Sequence, residues 1–199
     1  MIVAGHSGEI GKVRGALCDP DPEVQAAALT ALARAGVVTV ADIALALGGG
    51  SLPVRRRAGD AALAVRGKGS RSELFGIMTE ALGDSDPLVA VGAAWFLAER
   101  RVRPAVPALA SMAGDHADAR CREAAVAALG AIGDALGLPA VLLALNDKPT
   151  IRRRATVALA GFDDPRVDIA LRRAAQDRDW QVRQAADELL AGDGISPAQ

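Results

Sequence analysis

IRRRATVAL, residues Ile151–Leu159, decides the fold once it is laid over the rest of the chain. A branched apolar residue opens the stretch, Ala155 and Leu159 follow at intervals of four, and Arg152, Arg153 and Arg154 fill the gap between the first two. Apolar side chains four residues apart stack on one face of an α-helix. VRRRAGDAA at Val54–Ala62 repeats the pattern, arginine triplet included. Four further copies align with it: VQAAALTAL from Val24, VAVGAAWFL from Val89, CREAAVAAL from Cys121 and VRQAADELL from Val182. The starts at 24, 54, 89, 121, 151 and 182 lie 30, 35, 32, 30 and 31 residues apart. Four positions into each copy stands alanine: Ala28, Ala58, Ala93, Ala125, Ala155 and Ala186. Eight positions in stand Leu32, Ala62, Leu97, Leu129, Leu159 and Leu190. Self-similarity at a near-constant period of this length marks a repeat architecture.

The start of each copy carries its own signal. Asp21, Ser51, Asp86, Asp118 and Asp179 stand three residues before the leading residue, where a side-chain oxygen can cap exposed helix amides; only Lys148 breaks the set. A shorter apolar segment precedes each copy, at about 8–18, 38–47, 71–82, 103–113, 135–145 and 165–176. The prediction is an all-α fold, an α-solenoid of about six antiparallel helix pairs. No linker rich in Pro, Gly or Ser divides it, so residues 1–191 are expected to form one repeat domain, with RGKGS (66–70) and ERRVR (99–103) as loops and 192–199 as a flexible C-terminal tail.

Composition narrows the function. Hydrophobic residues make up 51% of the chain but aromatics only 3%, so helices pack through small side chains and few rings are left for base stacking. Against 24 acidic groups the 23 Lys and Arg give a net charge of −1, which lacks the basic excess of a dedicated nucleic-acid binder. Two cysteines make no disulfide framework, the N-terminus does not read as a signal peptide, and no apolar run reaches a membrane span. A cytoplasmic protein is expected.

DPDPEVQAAALTALARAG (19–36) and CREAAVAALGAIGDALGLPAVLLAL (121–145) resemble the HEAT-like repeats of the bacterial type also found in phycobilin lyase subunits. The resemblance spans nearly the whole chain. It implies that the second helix of each pair lines an inner, concave surface, and that an Asp–Arg ladder ties neighbouring repeats. The arginines one position after the leading residue, Arg55, Arg122, Arg152 and Arg183, are placed to form that ladder with the acidic caps.

At about 100° per residue, the positions two and six after the leading residue point away from the core. They include Arg56, Val91, Glu123 and Arg153 at the former and Trp95 and Val157 at the latter. An apolar strip of Val91, Trp95 and Val157 bordered by arginines is the composition of an interaction site. Coverage of Trp95 by the 99–103 loop is the alternative reading. Trp180 is expected to pack on the preceding helix pair and close the stack, Phe96 to lie in the core, and Cys121 to be a buried structural thiol.

Enzyme readings fare less well. The di-iron hydroxylases with HEAT-like repeats depend on His-Glu pairs, whereas His6 and His116 are isolated, expected in solvated loops, and neither is followed by Glu. Trp95, Asp60 and Arg56 are residue types used in the cleft of HEAT-like DNA glycosylases, without that family's sequence pattern. The expectation is a non-catalytic scaffold, without metal or cofactor, that binds a protein partner through Arg56, Val91, Trp95, Glu123, Arg153 and Val157. Nucleic-acid binding of the glycosylase type, or service as an accessory subunit of a modifying enzyme or lyase, is the alternative.

Overall fold

The computed structural model describes residues 3–67 and 71–192. Among them are twelve α-helices and no strand. Two compact units, 1–96 and 97–199, divide the chain within the sixth helix. The first unit holds α1 (Val3–Gly15), α2 (Pro22–Arg34), α3 (Val40–Gly48), α4 (Leu52–Ala62), α5 (Arg71–Glu80) and most of α6 (Pro87–Glu99). The second holds the end of α6, then α7 (Val106–Asp115), α8 (Ala119–Ile132), α9 (Leu138–Ala144), α10 (Pro149–Ala158), α11 (Pro165–Ala174) and α12 (Trp180–Gly192). Odd-numbered helices are the short apolar segments of the sequence, and even-numbered helices are the six aligned copies. Within a unit the second helices stack on one another, α2 on α4 and α8 on α10 on α12, while α3, α7 and α11 back them.

The alanine register explains this closeness. Ala28, Ala58, Ala93, Ala125, Ala155 and Ala186 are all buried, as are Leu32, Ala62, Leu97, Leu129 and Leu159. Each buried Leu contributes about 1.5–3 kcal/mol, but the alanines do something else. They bring neighbouring backbones together. In both units there are places where even a methyl group is too large: a Cβ on Gly59 would lie 2.7 Å from the Gly92 carbonyl oxygen in the first unit, and one on Gly130 would lie 2.7 Å from the Ala158 Cα in the second. Glycine stands at these crossings because the helices touch there through their main chains.

Helix starts follow the sequence with one exception. Asp21, Asp86, Asp118 and Asp179 each accept a hydrogen bond from the backbone N–H two residues on. Ser51 does not cap α4. Its hydroxyl and backbone N–H both donate to the Gln25 Oε1, at 2.8 and 3.3 Å, so the side chain that could have capped joins α4 to α2 instead. Proline in the first turn of α4 and α10 lowers the need for a cap there, since it brings no amide.

Two expectations about single residues change. Trp180 does not close the stack: it opens α12 with 61% of its surface exposed. It occupies the first helical position, ahead of the buried register that begins at Val182, so it has no helix turn behind it to lean on. His6 falls on α1 rather than in a loop, and its side chain lies outside the described residues. Phe96 is buried against Phe75, and Cys121 is buried in α8, as the register demands. Loop residues 68–70 and residues 193–199 of the expected tail lie outside the described residues; Gly192 ends α12.

Candidate protein-interaction surface

The arginine one position after each leading residue builds the frame on which the outward side chains stand. Arg122 donates from Nε and Nη2 to both carboxylate oxygens of Asp147, at 2.7 and 3.0 Å, and Arg152 does the same to Asp177, at 2.8 and 2.6 Å. Their Nη1 groups turn back to the loop carbonyls of His116 and Asp147. Each arginine thus fastens its own loop and the next one. In the first unit Arg55 reaches Asp84 at 3.1 Å, and Gln25, at the same register position, meets Ser51 as an uncharged rung. Arg183 has only half of the arrangement, donating to the backbone carbonyls of Asp177 and Arg178.

The ladder carboxylates are not the caps. Asp84 and Asp177 stand two residues before the caps Asp86 and Asp179, and each accepts the N–H of its cap. One aspartate holds the arginine and the next holds the helix. Charge pairing has the expected electrostatic effect: hydrogen bonds from Arg122 and Arg152 hold Asp147 and Asp177 below their ordinary pKa of 3.8. The two guanidinium pKa values rise in return.

Of the predicted outward residues, Glu123, Arg153 and Val157 come together. With Thr150, Arg154 and Gln181 they line one cavity of about 150 Å³ in the second unit, walled by α8, α10 and the start of α12. Val157 is 46% exposed. Arg154 approaches Glu123 at 3.4 Å through a single carboxylate oxygen, a long contact between two partly exposed side chains. Arg153 is exposed and makes no hydrogen bond or ion pair among the described residues.

Arg56, Val91 and Trp95 lie in the first unit. Arg56 does not project freely into a groove: it grips the α6 cap Asp86 with Nε and Nη2, the first at 3.0 Å, and draws its pKa down to about 2. Val91 is half-buried on α6. Trp95, one turn further on, is 44% exposed, so the loop does not cover it.

Sequence reasoning did not single out Thr150 and Gln181, which precede the repeat register by one residue; Thr150 stands one turn before Arg153 on α10, and Gln181 enters the cavity because α10 and α12 lie side by side. It also missed a wider cavity of about 450 Å³ between α2 and α4, lined by Thr30, Arg34, Arg57 and Asp60 with alanines between them. Charged residues at the outward edge of both helices were the available signal. Among the described residues no three His, Cys, Asp or Glu side chains are gathered to hold a metal ion, and no helix is long and apolar enough to cross a membrane.

Repeated helix pairs, a small-residue seam and an Arg–Asp ladder define an α-helical repeat protein of the α-solenoid class. Residues 76–150 match the family of HEAT repeats, and the chain is a HEAT-like repeat protein. Known structures share the fold at low sequence identity. The Escherichia coli protein YibA superposes with a TM-score of 0.67 at 16% identity, over 98% of this chain and 76% of that one. The complex of CpcE and CpcF of phycocyanin lyase from Nostoc sp. gives 0.62 at 20% identity, over 87% and 73%. A designed armadillo repeat protein gives 0.63 at 17% identity, over 93% and 99%. No curated protein sequence matches.

Proposed function

We propose that the chain is a scaffold that binds a protein segment on its second-helix face, at the cavity formed by Glu123, Arg153 and Val157. The first-unit residues Arg56, Val91 and Trp95 supply a second contact area. The observation that carries this reading is the convergence of three outward register positions on one cavity, with an exposed aliphatic side chain beside an unpaired guanidinium. Apolar surface next to arginine is the composition of binding hot spots, and a cavity held by rigid helices needs little reordering on association. The likeness to a complex of two repeat proteins fits the accessory-subunit form of the same reading, in which the bound segment belongs to an enzyme.

The arginines argue against a nucleic-acid track. Arg55, Arg56, Arg122, Arg152 and Arg154 all lie on second helices and all face carboxylates already, so the charge on these five is not free for phosphates.

The test is site-specific photocrosslinking in the native host, with a benzophenone residue at position 157 and, separately, at position 95. The expected result is a crosslink to a defined polypeptide that is lost when Arg153→Glu is added to the 157 probe. Crosslinks at position 157 that ignore Arg153→Glu, or crosslinks to nucleic acid alone, would overturn the reading.

A further inference from the structure

The reading of this cavity as a partner site leaves open what the partner presents, and the cavity's own charges address that. We propose that it takes an acidic, extended polypeptide segment, which sets an Asp or Glu carboxylate on Arg153 and an aliphatic side chain against Val157.

The argument begins with the charge inventory. Arg153, Arg154 and Glu123 line the cavity, two cations against one anion. Glu123 offers Arg154 one oxygen at 3.4 Å, whereas the ladder carboxylates Asp147 and Asp177 use both oxygens at 2.6–3.0 Å. The cavity therefore holds one uncompensated positive charge beside a loose ion pair. A carboxylate meets a guanidinium through two parallel hydrogen bonds, a geometry that a single ammonium cannot reproduce. Arg153 can offer that fork without giving up an existing partner among the described residues. Arg122 and Arg152 would each have to surrender a two-point carboxylate contact to do the same.

The remaining lining fixes the class of ligand. The Thr150 hydroxyl and Gln181 amide give a donor and acceptors beside the cavity, suited to the peptide groups of an extended chain. The exposed flank of Val157 gives an aliphatic side chain a place to lose water. A phosphate backbone would instead require several unpaired cations at regular spacing, and here the neighbouring arginines are neutralised. Two acids could compete from within: Glu123, which lines the cavity and faces Arg154, and Asp179, which holds the register position of Asp86, the partner of Arg56, and is engaged in capping α12 through the Gln181 N–H.

The experiment is a selection of random dodecapeptides displayed on phage against the full chain, followed by fluorescence anisotropy with the enriched peptides as synthetic probes. The expected winners carry Asp or Glu next to Leu, Ile or Val. Their affinity falls tenfold or more on Arg153→Gln, and by a similar factor when the peptide acid becomes Gln, the scale of one charged hydrogen-bonded contact. Arg153→Lys recovers only part of the loss, because it restores charge without the fork. Enriched peptides without an acid, insensitive to Arg153→Gln but weakened by Val157→Ser, overturn the acidic class and leave the partner surface standing. A selection in which no winner responds to Glu123, Arg153 or Val157 overturns both. A single-stranded decanucleotide binding more tightly than every peptide, through Arg153, also overturns the proposal. Circular dichroism on Arg153→Gln checks that the fold is intact, which its lack of polar partners leads one to expect.

Discussion

The arginine triplets of α4 and α10 are the same in sequence and different in wiring. In α4, Arg55 holds Asp84 and Arg56 holds Asp86. In α10, Arg152 holds Asp177, Arg153 holds nothing polar, and Arg154 leans back towards Glu123 on α8. The following loops, DSDPL at 84–88 and DRDWQ at 177–181, present aspartates in the same two places. What differs is the company. Glu123 on the preceding helix and Gln181 on the following one surround the outward arginine of α10 with a cavity, whereas Arg56 is tied to the cap of the next second helix. A repeated motif therefore specifies a frame, and the side chains around it decide whether a given copy is only frame or also surface.

The largest effect expected from breaking this comparison is at Arg152. Its side chain is 5% exposed and bridges Asp177 and the Asp147 carbonyl, so Arg152→Ala leaves a partly buried carbonyl and a partly buried carboxylate short of a donor. A loss of about 2–4 kcal/mol follows, or roughly 5–10 °C in the melting temperature of a chain this size, read by thermal circular dichroism. Arg55→Ala removes a longer, more exposed contact and should cost less, about 1 kcal/mol. If Arg55→Ala proves as damaging as Arg152→Ala, the two triplets are not wired differently in any way that matters.

Acid sharpens the same contrast. Asp147 and Asp177 have folded-state pKa values below 3.8, below that of the unfolded chain at about 3.9, so on acidification the unfolded state takes up protons first. Their contribution is complete above about pH 4 and is lost as the pH falls through the lower, folded-state values. The wild type should therefore lose stability between about pH 4 and pH 2, while Arg152→Ala, already lacking one of these pairs, loses less over that interval. Chemical denaturation at pH 7 and at pH 3 measures both slopes. Equal losses in the two proteins would show that the Arg152–Asp177 pair contributes no pH-dependent stability.

The frame was far more legible than the surface. A period near 31 residues, an alanine four positions into each copy and an acid before most second helices define the helix pairs, because burial imposes the same demand on every repeat. The ladder was half legible: the arginines stand in register, but sequence alone points to the caps as their partners, and only geometry separates Asp84 from Asp86 or Asp177 from Asp179. Helix angle alone cannot say that the long side chain of Arg56 reaches across to the cap of the next second helix. Trp180 was misread because the closing of a stack by a terminal aromatic is a habit of repeat proteins, and nothing in DRDWQ specifies the contact. Helical spacing alone puts Thr150 one turn before Arg153, but Gln181 stands on another helix, and no periodicity within α10 could bring it there.

The smallest expected effect is the most telling one. Arg153→Ala removes a side chain that makes no polar contact among the described residues and stands exposed on its helix. Alanine is also the better helix former, by a few tenths of a kcal/mol. Stability should therefore be unchanged to within about 0.5 kcal/mol, or slightly raised. Arg56→Ala, its register equivalent, breaks an exposed ion pair and should cost slightly more than Arg153→Ala. A measurable loss from Arg153→Ala would mean that this arginine already has a partner within its own chain, with Asp179 the acid in the matching register position. Its neutrality in stability, joined to a loss of peptide binding, would identify a side chain kept for something outside the fold.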